Sequence, residues 1–90
     1  MATTFDTSYY LSNNPDVLTA ILSGTFTSAY QHYQLYGEKE GRLPNPYFNP
    51  TYYLSVNVDV LTAITTHTFK GTALDHYEQF GAKEGRAFAS

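Results

Sequence analysis

One stretch of this chain is written twice. FDTSYYLSNNPDVLTAI, from Phe5 to Ile21, returns as FNPTYYLSVNVDVLTAI from Phe48 to Ile64. HYQLYGEKEGR, from His32 to Arg42, returns as HYEQFGAKEGR from His76 to Arg86 after one inserted residue. Over positions 5 to 42, 22 of 38 aligned places are identical, which unrelated segments do not reach, so the chain is a tandem duplication. A duplication constrains the fold twice over, because any structure proposed for one copy must suit the other. A copy of this size also lies near the lower limit for folding alone, so each is expected to bury an apolar face against its neighbour. We divide the single domain 1–90 into repeat one at 5–43, a Pro-rich connection at 44–47 and repeat two at 48–87.

Start and stop signals recur at matching places and predict three short helices per copy. Asp6 and Asn49 are expected N-caps, their side-chain oxygens accepting orphan N–H groups of a first helix near 7–12 and 50–55. Asn14 and Asn57 are expected to cap a second helix, with Asp16 or Asp59 near the positive end of its dipole. That helix carries Val17, Leu18 and Ile21, or Val60, Leu61 and Ile64, at one-turn spacing. Gly24 is expected to end it in copy one and His67 in copy two. Ser28 with Gln31, and Thr72 with Asp75, resemble the reciprocal box at helix starts, and the third helix should run to Tyr36 and Phe80. Gly37 and Gly81 then stand where a left-handed residue would close the helix. No run alternates well enough to read as a strand. The expected fold is all-α, two tandem copies of a three-short-helix repeat docked against each other.

Composition narrows the function. Five Lys and Arg against eight Asp and Glu give a net charge of -3, the wrong sign for a nucleic-acid or anionic-membrane surface. No stretch approaches the roughly 20 apolar residues of a membrane span, and Met1 opens no signal peptide. There is no Cys, hence no disulfide framework and no thiolate metal site.

The polar elements that could carry chemistry also have fold-building readings. Gly37, Glu40, Gly41 and Arg42, with Gly81, Glu84, Gly85 and Arg86, predict a turn in which each Arg reaches back to a carboxylate such as Asp16 or Asp59. His32, His67 and His76 could ligate metal, yet none lies one helical turn from another, and a repeated His before Tyr fits a buried hydrogen-bonding role better. Asp6, Asn13, Asn14 and Asp16 offer oxygen ligands without the spacing of a calcium loop. No nucleophile and base form a recognisable pattern, so no catalytic residue, cofactor or metal is expected. The paired rings Tyr9-Tyr10 and Tyr52-Tyr53 remain, with Tyr33, Tyr36, Tyr47 and Tyr77. One of each pair should enter the core and its neighbour sit at the edge, so Tyr9, Tyr10, Tyr52 and Tyr53 are the candidate contact aromatics, the alternative being that the tyrosines fill the seam between copies.

Together Phe5, Asp6, Tyr9, Tyr10, Leu11, Asn14, Pro15, Asp16, Val17, His32, Tyr33, Gly37, Glu40, Gly41, Arg42, Pro44 and Asn45 write a pattern that resembles a helical tandem repeat of bacterial secreted and surface proteins. Such repeats accompany repeats-in-toxin calcium-binding proteins, adhesins, hydrolases and some glycosyltransferases, and carry no assigned catalytic residues. The second copy departs from the pattern at Val56 and Val58. The resemblance implies a non-enzymatic module, secreted or surface-associated by a route without an N-terminal signal peptide. The expected partner is a protein or a second copy of the chain. The alternatives are a carbohydrate-contacting accessory module and a small virion or surface-layer component.

Overall fold

Asp6 and Asn49 open their copies in the same way. Each accepts a backbone N–H three residues on, from Tyr9 at 2.9 Å and from Tyr52 at 3.0 Å, and satisfies a donor that the first helical turn leaves unpaired. The computed structural model describes residues 4–89. Six helices follow: α1 (Thr7–Asn13), α2 (Pro15–Leu22), α3 (Ala29–His32), α4 (Pro50–Val56), α5 (Val58–Thr65) and α6 (Ala73–His76). No strand occurs among the described residues. The chain is all-α, with helices packed on one another in two tandem copies.

Gly24 (φ +86°) follows α2 and His67 (φ +62°) follows α5, both left-handed. His is among the non-glycine residues that tolerate this region best, so the exchange leaves the turn in place. Ser28 accepts from Gln31 N at 3.1 Å, while the Gln31 side chain reaches one residue further back than a reciprocal box requires, to Thr27 N. Thr72 and Asp75 form the complete box.

Three expectations need correction. The third helix of each copy is α-helical for four residues only and then widens into a π-helical turn, Tyr33–Gly37 and Tyr77–Gly81. There Glu38 N reaches Tyr33 O at 3.1 Å and Ala82 N reaches Tyr77 O at 2.9 Å. Gly37 and Gly81 are not left-handed; Gly41 (φ +79°) and Gly85 (φ +69°) are. Gly37 and Gly81 are glycine for space, because an added Cβ would overlap the hydroxyl of Tyr10 or Tyr53. Asn14 and Asn57 sit at the starts of α2 and α5 without capping them by side chain. Their Nδ2 groups instead donate to Tyr10 O at 2.7 Å and Tyr53 O at 2.8 Å, tying each second helix to the first.

Each unit is closed by its own tail. Asp6 N donates to Pro44 O at 2.9 Å, and at the matching place Asn49 N donates to Phe88 O at 3.0 Å. The connection is part of the fold: Pro44 and Asn45 are fully buried, and Asn45 Oδ1 accepts from the backbone of both Tyr47 and Phe48 at 2.8 Å. Phe48 thereby enters the core, where Tyr10, Tyr33, Tyr53, Val17, Val60 and Leu74 are also buried. The accessible surface of 5360 Å² equals that of a compact monomer of 10.1 kDa, about 5,300 Å². A partner would therefore meet a finished surface.

Candidate functional site

The Arg turns follow from α2 and α5 being fixed beside them. Arg42 forms a two-pronged ion pair with Asp16, Nη1 to Oδ1 at 3.0 Å and Nη2 to Oδ2 at 2.9 Å, and adds Asn14 Oδ1 at 2.8 Å and Glu40 Oε1 at 2.8 Å. Arg86 repeats this with Asp59 at 3.0 and 2.9 Å, Asn57 at 2.9 Å and Glu84 at 2.6 Å. The planar guanidinium fork suits a carboxylate in this way. Hydrogen bonds from the Arg side chains hold Asp16 and Asp59 below the usual carboxylate range. Both arginines thus spend their donors inside their own unit. The oxygens considered for calcium are committed too, Asp6 to Tyr9 N, Asn14 and Asp16 to Arg42, while the Asn13 amide donates to Tyr9 O. Among the described residues no group of three or more His, Asp or Glu could hold a metal ion.

His32 and His76 bind the buried tyrosines. Tyr10 Oη lies 2.8 Å from His32 Nδ1, and Tyr53 Oη 2.8 Å from His76 Nδ1. Burial lowers both imidazole pKa values and pushes both phenols up to about 12, so all four groups are neutral near pH 7. Phe26 and Phe69 pack edge-on against the imidazoles. The ring pairs divide as expected, with Tyr10 and Tyr53 fully buried and Tyr9 and Tyr52 partly so. Tyr10 and Tyr53, also candidate contact aromatics, are thereby ruled out as surface anchors, and their ring contacts stay inside their own copies. Tyr10 packs on Phe5 and Tyr33 of its own copy, and Tyr53 on Phe48 and Tyr77 of its own.

The seam rests on residues that sequence reasoning passed over. Glu38 receives the Tyr33 hydroxyl on Oε1 and the Ala73 N–H, at the start of α6, on Oε2, each at 2.6 Å. Beside it the Tyr30 hydroxyl donates to Asp75 Oδ1 at 2.9 Å. Burial raises the Glu38 pKa against the pull of its hydrogen bonds, and Asp75 raises it further. One signal was present: within Gly37–Arg42 Glu38 alone differs from its counterpart in copy two, Ala82. No helix among the described residues is long and apolar enough to cross a membrane. No protein-family model, curated protein or solved structure matches the chain.

Proposed function

We propose that this chain is a non-enzymatic helical-repeat module that builds or recognises protein surfaces. One observation carries the reading: the repeated polar residues are spent on bonds inside the fold, while several large apolar side chains remain outside. The Arg turns and the His–Tyr pairs each have a complete set of internal partners in both copies. Leu22 stands 79% exposed, Val58 61% and Leu35 51%, although the core is already closed without them. Single exposed apolar residues are common, but this number on so small a surface supports contact with another protein. The resemblance to bacterial secreted and surface repeats supports an extracellular or surface-assembled setting.

Sedimentation over a wide range of concentration tests the reading with a second copy as the partner. The mass should rise above 10.1 kDa as concentration increases. Leu22→Glu with Val58→Glu should restore the monomer and melt like the wild type at dilutions where the latter is itself monomeric, because neither side chain is buried in the single chain. A chain that stays at 10.1 kDa throughout would remove self-assembly as its role.

A further inference from the structure

A groove of about 510 Å³ crosses the junction of the two units. Its floor is apolar, made by Leu54, Leu61, Ile64 and Phe69 of copy two, and two lysines line it. Lys39 comes from the turn of copy one. Lys70 lies in the loop before α6, where copy two is one residue longer than copy one. Both lysines are exposed, and neither forms an ion pair among the described residues, whereas both arginines do. Glu38 also borders the groove, but its two oxygens are occupied by Tyr33 and Ala73. Two uncommitted cations beside an apolar trough, on a chain of net charge -3, call for a ligand with one anionic end and one apolar end.

We propose that this groove binds a monocarboxylate amphiphile with a chain of about ten carbons, a length suited to a volume in the small-ligand range. The tail lies on Leu54, Leu61, Ile64 and Phe69, and the carboxylate lies between Lys39 and Lys70. Such binding goes beyond the protein-contact role, and it uses neither Leu22 nor Val58.

Decanoate titrated into the isotope-labelled full chain, followed by backbone amide NMR, tests the site. Saturable shifts should gather at Lys39 and from Ile64 to Gly71, and affinity should fall as salt rises. Lys39→Ala with Lys70→Ala should weaken binding about fivefold or more at unchanged melting temperature. Leu61→Glu should abolish binding by placing a carboxylate on the floor. Decanol should bind more weakly than decanoate, and the Leu22→Glu, Val58→Glu variant should bind as the wild type does, which separates this site from assembly. Absence of saturable shifts, shifts gathered at Leu22 or Leu35 instead, or equal and salt-insensitive binding of decanol would each overturn the proposal.

Discussion

The hydroxyl of Tyr10 stands where a Cβ on Gly37 would have to go, and Tyr53 stands in the same relation to Gly81. The contact explains two glycines whose backbone is not left-handed, and it joins the first helix of each copy to the π-helical turn. Each hydroxyl also meets the His just before the π-helical turn, so one phenol touches the third helix on both sides of that turn.

Gly37→Ala should therefore destabilise the chain by about 1–3 kcal/mol, the usual cost of forcing an extra carbon into a packed site. Tyr10→Phe in the same chain removes the overlapping oxygen, so the double variant should melt higher than the sum of the single losses allows. Purely additive losses in thermal melts would mean that the two residues do not compete for this space.

Arg42→Ala should cost about 1–2 kcal/mol: the bonds to Asn14 and Asp16 are lost together, though the exposed part of the ion pair contributes little. In a domain of this size that lowers melting by roughly 4–16 °C. Arg86→Ala should behave alike because the geometry is alike. Arg42→Lys should recover only part, since an ammonium cannot reproduce the two-pronged pairing. Unchanged melting in both alanine variants would show that the turns do not brace the fold.

Elements governed by local chemistry were legible in the sequence. Asp6, Asn49, Ser28 and Thr72 cap helices because the geometry of a cap depends on three or four consecutive residues. Gly24 and His67 share a left-handed turn for a similarly local reason. Contacts between distant residues decided the rest. Asn14 and Asn57 have the right residue type for caps, yet an Arg 28 or 29 residues away takes the side-chain oxygen and a tyrosine carbonyl takes the amide. Nothing local distinguishes the π-helical turn from continued α-helix; its contact with Tyr10 is tertiary. Asn45, between two prolines, looked like a linker residue, but its oxygen receives two backbone N–H groups and it is buried.

The pH profile should follow His32 and His76. Burial sets their folded pKa below the ordinary value, so at mildly acidic pH the unfolded chain binds protons that the folded chain refuses. Their contribution is complete well above about pH 6.5 and is lost as pH falls from there through the lower folded pKa. Thermal melts from neutral to mildly acidic pH should show falling stability, and His32→Gln with His76→Gln should flatten that slope. A slope that the two His→Gln exchanges leave unchanged would contradict neutral, buried imidazoles.

Glu38 bonds across the two units, and its removal should loosen that joint while leaving the Arg turns and the His–Tyr pairs of both units in place. Glu38→Ala strips the acceptor from the Tyr33 hydroxyl and from Ala73 N, and should cost about 1–3 kcal/mol. Ala82→Glu, the reverse exchange at the matching exposed position of copy two, should change stability by no more than about 0.5 kcal/mol. Acidification acts on Glu38 in the opposite sense to the histidines. Its folded pKa lies above the ordinary carboxylate value, so its favourable contribution is complete below the unfolded pKa and is lost as pH rises through the folded one. The ionised carboxylate thus carries a desolvation cost, which its two short hydrogen bonds offset in part. Amide exchange provides the local readout: in Glu38→Ala the Ala73 amide should lose protection, while the Arg42 and Arg86 backbone amides, bonded to Gly37 O and Gly81 O, keep theirs. If Ala73 remained protected in the variant, the joint would rest on the apolar contacts of Leu74 and not on this carboxylate.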